Sequence, residues 1–500
     1  AAALAPRGYL GEEEVAGSDM ASAAQEIRVL SVASECVPLI KTGGLADVVG
    51  ALPGALGARG VAVCTLIPAY PGVIARLAEA REVWAEDDLF GGRGRVLAGR
   101  ADGLDMLILD APHLYDRAGG PYGQGGQDFP DNAERFAALS WAAARIALEG
   151  TAEGWRPDIV HAHDWQAGLA PAYLRYAGAG TAKTVMTVHN IAFQGLAPAA
   201  RLGRLRLPAS AFTPDGAEYW GQISALKAGL VTADRITTVS PTYAAELMRP
   251  EFGMGLEGVI AARGAVMTGI LNGVDTGVWD PGTEELPYRA GAVKGKAANR
   301  ARLIAEFGLG DVPGPLAILV SRLTHQKGID LIPPVLPDFI AGGGGLAVLG
   351  TGDPALETAM RTLAERFPGR VAVRIGYDEG LSHRMFAGGD AVLVPSRFEP
   401  CGLTQMYGLR YGTIPVVALT GGLADTVIGV SPATLAAGAA TGVTFHPVDA
   451  LALGQALRTL LALYADRREW AAVQTRAMKS DVSWDRSAAA YARVYQDLLR

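Results

Sequence analysis

The chain has 500 residues, half of them hydrophobic and 19% charged. It can therefore bury more than one large core and is not globally disordered. Its 44 Lys and Arg against 51 Asp and Glu give a net charge of −7, which argues against nucleic acid or an anionic membrane as a partner. Three cysteines are too few for a disulfide framework and favour a reducing compartment.

Residues 1–26 precede the first strand pattern and contain three consecutive acidic residues, Glu12 to Glu14. The acidic residues and the lack of an uninterrupted apolar run are atypical of a signal or transit peptide. We expect residues 1–26 to form a disordered extension, with an upstream start of the chain as an alternative.

From Ile27 onward, short runs rich in Val and Ile alternate with Ala- and Leu-rich segments of helical period. The predicted strands are Ile27–Ala33, Val61–Ile67, Met106–Leu109, Ile159–His163, Thr184–His189, Ile236–Ser240, Leu316–Ser321, Leu346–Leu349, Val371–Ile375, Ala391–Pro395 and Ile414–Ala418. Helical patterns that follow them include Ala46–Leu56, Ala167–Tyr176, Ala355–Phe367 and Leu403–Tyr411. Apolar strands separated by helices predict parallel sheets covered on both faces.

Eleven strands exceed one comfortable doubly wound sheet, so we predict an α/β protein with two Rossmann-like domains. A low-complexity stretch at 281–298 is the predicted linker between a first domain (27–280) and a second domain (299–485). Ligands of open parallel sheets bind beyond the carboxyl ends of the strands. The strand-end loops of both halves are therefore expected to line one cleft.

The first predicted strand is followed by Lys41–Asp47, with the sequence Lys-Thr-Gly-Gly-Leu-Ala-Asp, which opens a helix. Two glycines let the backbone approach a ligand, a helix start favours an anion, and Lys41 adds a mobile positive charge. An ordinary glycine turn with a solvated lysine is the alternative. Six of these residues, Thr42–Asp47, recur as Thr420–Asp425, which chance also explains in a chain this rich in Gly and Ala.

Two histidines, His161 and His163, end a predicted strand on one face, at a spacing that metal sites can use. Since no third and fourth ligand accompany them, contact with a sugar hydroxyl or a neighbouring loop is favoured over zinc. His189 ends the next strand, where a buried core histidine is the alternative interpretation.

The predicted second domain begins with a basic loop, in which Arg322 and Lys327 lie five residues apart. They can converge on one polyanion, although a solvated basic loop is the alternative. Further on, Gly350–Ala355 matches G-x-G-x-x-A between a strand and a helix. This match keeps a nucleotide-dependent oxidoreductase open as an alternative, although the acidic pair at 378–379 comes late for a ribose contact.

The most specific stretch is 395–405, Pro-Ser-Arg-Phe-Glu-Pro-Cys-Gly-Leu-Thr-Gln. Glu399 follows a strand, and Gly402 precedes a helix whose N–H groups are expected to face the cleft. A carboxylate there can hold sugar hydroxyls while the helix start receives phosphate or hydroxyl oxygens. The alternative for Glu399 is a partner of the helix dipole. Cys401 is predicted to be a packed small side chain, because no base is placed beside it.

Seven stretches, in this order, resemble the bacterial glycogen synthase and plant starch synthase family. They are Lys41–Asp47, His161–Trp165, His189–Gly195, Asn272–Asp275, Ser321–Gly328, Ser396–Gln405 and Thr420–Thr426. The resemblance covers nearly everything from residue 27 onward. It implies a GT-B fold, in which two Rossmann-like parallel-sheet domains face each other across a deep cleft and a C-terminal helix (486–500) returns to the first domain.

The resemblance also implies a retaining glucosyltransferase. Such an enzyme moves glucose from ADP-glucose to the nonreducing-end 4-hydroxyl of α-1,4-glucan, either glycogen or starch, without a metal or other cofactor. The implied partners are ADP-glucose and the glucan, with ADP preferred over UDP by likeness to bacterial members. The implied location is the bacterial cytoplasm, or the plastid stroma for a plant or algal source. A noncatalytic glucan-binding protein with the same fold is a further alternative.

The implied site residues follow from the matching motifs. The catalytic candidates are Lys41, Asp164, His189, Arg322, Lys327 and Glu399, and the donor site adds Gly44, Asp47, Asn272, Tyr377, Cys401, Gly402, Leu403 and Thr404. Fixed Arg and Lys charges can stabilise a departing diphosphate without a divalent ion. Related retaining transferases often carry a second Glu eight residues after the first, and here that place is Tyr407, as in the synthases.

The resemblance assigns each candidate a role. Lys41 and Gly44 lie near the donor phosphates, and Arg322 and Lys327 hold the distal phosphate as ADP departs. Glu399 and the backbone of residues 401–404 hold the transferred glucose, and Thr404 contacts a phosphate. Asp164, His189 and Asn272 lie on the facing wall of the cleft, and Tyr377 stacks on the nucleotide base.

Overall fold

The computed structural model describes residues 26–178 and 182–500, so residues 1–25 of the predicted extension lie outside the described part. The strands are β1 Ile27–Val32, β2 Val61–Pro68, β3 Ala78–Glu86, β4 Gly94–Ala101, β5 Leu104–Asp110, β6 Gly123–Gln124, β7 Gln127–Asp128, β8 Ile159–His163, β9 Lys183–Val188, β10 Leu196–Pro198, β11 Glu218–Tyr219, β12 Gln222–Ser224, β13 Arg235–Thr238, β14 Met267–Gly269, β15 Leu316–Val320, β16 Gly345–Gly350, β17 Val371–Ile375, β18 Ala391–Val394, β19 Ile414–Ala418 and β20 Val443–Phe445. The α-helices are α1 Gly44–Gly57, α2 Pro112–Tyr115, α3 Asn132–Glu149, α4 Asp164–Ala167, α5 Leu169–Ala177, α6 Ala225–Thr232, α7 Pro241–Glu246, α8 Glu257–Ala262, α9 Lys294–Glu306, α10 Ile332–Ala341, α11 Pro354–Arg366, α12 Glu379–Gly388, α13 Thr404–Tyr411, α14 Gly421–Thr426, α15 Pro432–Ala436, α16 Ala450–Ala465, α17 Arg467–Met478 and α18 Trp484–Leu499.

The first half of the chain forms a nine-stranded sheet in the order β14-β13-β9-β8-β1-β2-β5-β4-β3. Its strands are parallel from β14 to β5, while β4 and β3 are antiparallel. The strand order reverses at β1, where Val29 lies opposite Val63 of β2 and Ile159 of β8. Such a reversal leaves a crevice at the carboxyl ends of the two diverging strands, which is where open sheets bind ligands.

The second half forms a six-stranded parallel sheet in the order β17-β16-β15-β18-β19-β20. Its order reverses at β15, where Ala317 lies opposite Leu346 of β16 and Ala391 of β18. Strands β15, β16, β18 and β19 are almost entirely buried apolar runs because helices cover both faces, whereas only Val371 is buried in the edge strand β17. The loops after β15 and β18 therefore flank the second crevice.

The chain crosses between the two halves twice, and the crossings lie side by side. On the way out, the backbone N–H of Val274 donates to Val482 O at 2.7 Å, next to the return crossing. After that return, α18 packs on α1 and buries Tyr491 and Tyr495 in a separate core cluster of the first half. The last helix of the chain is thus part of the first half of the fold.

All eleven predicted strands are present, with ends displaced by at most two residues. The antiparallel strands β3, at the sheet edge, and β4 were not predicted. In β3 only Val83 is fully buried and most other positions are exposed, so no apolar run marks the strand. The predicted helix at 167–176 is divided between α4 and α5 at Gly168, where an added Cβ would meet Ala225 O at 2.4 Å.

Between the sheets, α9 starts at Lys294 within the predicted linker and packs against α12.

Within the described ranges, none of the helices combines the length and the apolar character needed to cross a membrane.

Candidate active site

The two halves touch at the base of a shared cleft. The carboxylate of Asp425 accepts hydrogen bonds from the backbone N–H and the hydroxyl of Thr242, at 2.8 and 2.7 Å. Glu246 accepts from the Thr420 hydroxyl and the Gly421 N–H, at 2.9 and 3.0 Å. These contacts pair α7 of the first half with α14 of the second.

The two copies of the hexapeptide, Thr42–Asp47 and Thr420–Asp425, lie at different places in the fold. Both copies open a helix, at Gly44 for α1 and at Gly421 for α14. The second copy makes the contacts to Thr242 and Glu246, whereas the first copy follows β1 at the first crevice. The same local sequence therefore serves two different surfaces.

A buried carboxylate holds the Lys41–Asp47 loop. Glu35 is only 2% exposed, and it accepts hydrogen bonds from the backbone N–H and, at 2.5 Å, the hydroxyl of Thr42. The Tyr122 hydroxyl also donates to Glu35. Gly44 begins α1 with no side-chain cap, and added Cβ atoms at Gly43 and Gly44 would meet nothing within 4 Å. The loop thus presents open backbone, as an anion site requires.

Lys41 forms an ion pair with Asp47 at 2.8 Å and remains partly exposed. Burial lowers the pKa of Lys41, but Asp47, with help from Tyr377 and Glu379, raises it by more, so the net pKa lies above its usual value. Burial, with help from Glu379 and Glu35, raises the pKa of Asp47 above its usual value although Lys41 lowers it. Because Tyr377 and Glu379 follow β17, Lys41 faces the second half across the cleft. Tyr377 is 77% exposed there.

At the first crevice, Asp164 follows β8 in a left-handed backbone conformation, with φ of 55°. Its carboxylate accepts from the backbone N–H groups of His189 and Asn190, at 2.7 and 3.3 Å. Burial raises the pKa of Asp164 to about 7, although both hydrogen bonds act against this. A strained non-glycine residue with a displaced pKa is typical of a functional site.

The histidines form a buried chain that ends at the same crevice. His189 Nε2 lies 3.0 Å from His163 Nδ1, and His163 Nε2 lies 3.2 Å from the Ser31 hydroxyl. His161 instead contacts Tyr495 and Thr187, at 2.8 and 2.5 Å. Burial lowers the pKa of His161 and His189 to about 3, and that of His163 well below its usual value. The three rings are therefore neutral near pH 7.

The histidine pair of β8 is thus held by hydrogen bonds, and no group of three or more metal-ligating side chains is found anywhere in residues 26–178 or 182–500.

At the second crevice, Lys327 and Glu399 form a mostly buried ion pair, 72 residues apart in sequence. Lys327 Nζ lies 2.5 Å from Glu399 Oε2, and the Ser396 hydroxyl donates to the same oxygen at 2.8 Å. The loops after β15 and β18 press together here, since an added Cβ at Gly328 would lie 1.9 Å from Pro395 O. Arg322 is exposed, and its guanidinium has no hydrogen bond or ion pair to any described residue.

Residues 401–404 turn from this loop into α13. Gly402 has φ of 71°, which favours glycine, and α13 then starts at Thr404 after Leu403 without a side-chain cap. Burial raises the pKa of the Cys401 thiol to about 12, so the thiol is neutral, as expected for a packed side chain. The backbone of Asn272 hydrogen-bonds this thiol, which brings Asn272 of the crossing segment against the second half.

The structure therefore brings most predicted residues together in three groups: Lys41, Gly44, Asp47 and Tyr377; Asp164 and His189; and Lys327, Glu399, Asn272 and residues 401–404. Glu35, Tyr122 and Ser396 were not predicted as site residues, whereas His163 was considered only together with His161. Glu35 had one usable signal, its place directly after the first strand. Tyr122 had none, because it lies 87 residues from the carboxylate that it contacts.

In the Gly350–Ala355 loop, other parts of the chain fill the space beside the two glycines. Added Cβ atoms at Gly350 and Gly352 would lie 2.0 Å from Ser321 O and 2.3 Å from Leu323 O. The Gly352 N–H and the Thr351 hydroxyl are taken up by Glu357, at 2.9 and 2.7 Å. This loop is closed against β15 rather than open to a dinucleotide, which argues against the oxidoreductase alternative.

Comparison with known proteins places this geometry in a family. The family model for the starch synthase catalytic domain matches residues 28–262. A glycogen synthase of Cereibacter sphaeroides (strain ATCC 17025) is 70% identical over 472 residues, which cover 94% of this chain and 98% of that protein. A glycogen synthase of Paracoccus denitrificans is 59% identical, with 94% and 99% covered.

Solved structures agree at the level of the fold. The catalytic domain of starch synthase IV from Arabidopsis thaliana, bound to ADP and acarbose, has a TM-score of 0.84 and 32% identity, covering 95% of this chain and 100% of that one. Sucrose-phosphate synthase from Thermosynechococcus elongatus has a TM-score of 0.58 at 19% identity, a likeness of fold alone. On these grounds the chain belongs to the glycogen and starch synthase family of GT-B glycosyltransferases.

Proposed function

We propose that this protein is a retaining glucosyltransferase that elongates α-1,4-glucan with glucose from ADP-glucose. The observation that carries the proposal is the buried Lys327–Glu399 pair at the second crevice, which belongs to the same cleft as Asp164 and His189 at the first. Family membership supports the activity, and the ADP and acarbose bound to the Arabidopsis starch synthase support the two substrate classes.

Bond cleavage is the step that needs the cations. When the bond between glucose C1 and the diphosphate breaks, its electron pair moves onto the β-phosphate oxygen. Lys327 and the unpaired Arg322 would stabilise this charge, and the uncapped start of α13 at Thr404 adds N–H donors. Retention of configuration then requires the acceptor 4-hydroxyl to bond to C1 on the face that the diphosphate leaves, and its proton passes to the departing phosphate.

The other candidates would position the donor. Lys41, Gly44 and Asp47 approach the phosphates from the first half, and Tyr377 stacks on the base. Glu399, with the backbone of residues 401–403, holds the glucose hydroxyls, opposite Asp164, His189 and Asn272. Neutral His189 has a hydrogen bond to His163 through Nε2, so its other ring nitrogen is available to a sugar hydroxyl.

Two further features belong to the proposal. Because Lys327 and Arg322 would balance the charge of the departing diphosphate, we expect the reaction to need no metal. The proposed location is the bacterial cytoplasm.

The decisive experiment is transfer of radiolabelled glucose from ADP-glucose or UDP-glucose onto glycogen, with and without excess EDTA. We expect incorporation from ADP-glucose that exceeds incorporation from UDP-glucose and persists in EDTA. No incorporation from either donor would favour the noncatalytic glucan-binding alternative. Activity lost in EDTA and restored by Mg²⁺ would overturn the metal-free step alone.

A further inference from the structure

Exposed apolar side chains are concentrated on one part of the first half. Eleven large hydrophobic side chains of the described residues are exposed, and four of them lie on or beside one small sheet of the first half. These four, called the aromatic platform below, are Phe193 (59% exposed), Leu196 (45%), Trp220 (80%) and Met254 (42%). Clustered exposed apolar side chains on a folded protein commonly mark a binding surface.

A small antiparallel sheet, in the order β10-β12-β11, holds the platform together. Leu196 of β10 pairs with Ser224 of β12, and Tyr219 of β11 pairs with Gln222 of β12. The Tyr219 hydroxyl donates to Met254 O at 2.6 Å, and Gln194 Nε2 donates to the same oxygen at 3.1 Å. The loop that carries Met254 is thereby fixed to the sheet.

Two of the four platform residues have an unfavourable backbone. Trp220 and Gly221 form the two-residue turn between β11 and β12, with φ of 49° and 78°. Turns with two positive φ values favour Asn-Gly, so a tryptophan there contributes nothing to the turn itself. Met254 and Gly255 repeat the pattern, with φ of 51° and 78°. Such strain clusters at ligand sites, and here it presents two large apolar side chains to solvent.

The platform is continuous with the candidate active site. Phe193 lies three residues after Asn190, and its N–H contacts Asn190 O at 3.4 Å. The backbone of Asn190 and His189 in turn donates to Asp164. The Gln194 side chain, next in sequence, contacts the Met254 loop. The platform therefore begins four residues after His189 and is connected to Asp164 through the backbone of residues 189–193.

We propose, resting on the proposed function, that the aromatic platform binds the α-glucan acceptor at glucose units behind the reacting end. The apolar faces of glucose rings can pack on the rings of Trp220 and Phe193 while their hydroxyls stay in water. None of the four platform side chains is charged, which suits a neutral polysaccharide and not the nucleotide diphosphate. The platform would hold long chains and contribute little to a short acceptor.

The test compares variants in native gels cast with and without glycogen, since retardation by glycogen requires no turnover. Trp220→Asn removes the ring and keeps a residue that suits the turn, so a loss of binding does not reflect a disturbed fold. We expect it to weaken glycogen binding about three- to tenfold, with Phe193→Ala adding to the loss and Trp220→Phe restoring part of it. The KM for glycogen should rise by a similar factor, and the KM for ADP-glucose should not.

The matched control is Leu451→Ala, since Leu451 is 71% exposed on α16 of the other half. It should be retarded by glycogen like the unmodified protein. Unchanged retardation of Trp220→Asn and of the Phe193→Ala/Trp220→Asn double variant would overturn the platform, even if glucosyl transfer is normal. Failure of the proposed function would appear differently, as no glucose incorporation by the unmodified protein.

Discussion

At the scale of single residues, the proposed chemistry depends on two opposite charges, Lys327 and Glu399, that are mostly buried as an ion pair. Lys327 and Glu399 are 18% and 9% exposed as side chains, and they neutralise each other. Removing one member of such a pair leaves an uncompensated buried charge, which is costly. A diphosphate entering the cleft can share Lys327 with Glu399, whereas Arg322 is already free to receive it.

The first prediction concerns these cations. Lys327→Ala and Arg322→Ala should each lower kcat by about 10²–10³, or roughly 2.7–4 kcal/mol, because each removes a charge that stabilises the departing diphosphate. Steady-state kinetics of purified proteins with ADP-glucose and glycogen would measure the loss. Lys479→Ala, at an exposed position of the same half, is the control. A near-normal kcat in either folded site variant would contradict its role.

The second prediction concerns pH. Burial lowers the pKa of His161 to about 3, so the unfolded state gains a proton below pH 6.5 that the folded state does not. The free energy of unfolding should therefore decrease as pH falls from 6.5 toward 3, by up to about 1.4 kcal/mol per pH unit for this histidine. Asp164, whose pKa burial raises to about 7, acts in the opposite direction, since its contribution to stability is lost as pH rises toward 7.

Urea unfolding at pH 7.5, 6 and 5 would measure this dependence. His161→Gln should reduce the slope of the free energy of unfolding against pH, by an amount equivalent to at most one bound proton. Asp164→Asn should make this slope steeper between pH 4 and 7. Parallel curves for His161→Gln and the unmodified protein would show that His161 titrates normally in the folded state.

At the scale of elements, one aromatic ring of the segment between the sheets connects two helices of the donor wall. Trp279 stacks on His383 of α12 at 4.0 Å and on Tyr407 of α13 at 3.7 Å between ring centroids. Helix α12 starts two residues after Tyr377, and α13 starts two residues after Gly402. The starts of both helices are therefore positioned partly by packing at Trp279.

The third prediction tests this packing. Trp279→Ala should lower the free energy of unfolding by roughly 3–5 kcal/mol, because it empties a site between two stacked rings. Chemical denaturation would measure the loss. Trp279→Phe keeps a ring in the stack and should cost clearly less. Equal stability of Trp279→Ala and the unmodified protein would show that the stack carries little energy.

The local sequence pattern did not predict every secondary-structure element. Strand β19, a continuous apolar run, was predicted with its observed ends. The exposed edge strand β3 and the two-residue strand β11 lack such runs because few of their side chains are buried, and each is held by pairing with the next strand, β4 or β12. The helix start at Lys294 was not predicted because the side chains that α9 buries are mostly polar, namely Lys296 and Asn299 beside Leu303.

At the scale of the whole molecule, the two halves share adjacent crossings and a polar contact at the cleft base. The backbone of Val274 is hydrogen-bonded to that of Val482 at the crossings, and Thr242 is hydrogen-bonded to Asp425 between α7 and α14. Adjacent crossings allow one half to rotate against the other, because few backbone torsions need to change. Lys41 and Arg322 lie on opposite walls, so a bound diphosphate would draw the walls together.

The fourth prediction is closure on ligand binding. Small-angle scattering should show a smaller radius of gyration with ADP plus a maltooligosaccharide than without them. Lys41→Ala should reduce this change, since it removes the contact from the first wall. Identical scattering profiles with and without ligands would contradict closure.

The sequence by itself determined the parallel α/β class, the eleven main strands and the loops that carry the site. Apolar periodicity and glycine placement report local burial and local backbone freedom, so they can be interpreted without knowing what lies nearby. Only the tertiary structure decided that Lys327 pairs with Glu399, that Tyr122 holds Glu35, and that Tyr495 contacts His161, 334 residues away. Lys327 and Glu399 meet because β15 and β18 adjoin at the reversal of the second sheet. The contacts of Tyr122 and Tyr495 depend on where a loop and the last helix pack, and long-range packing sets all three.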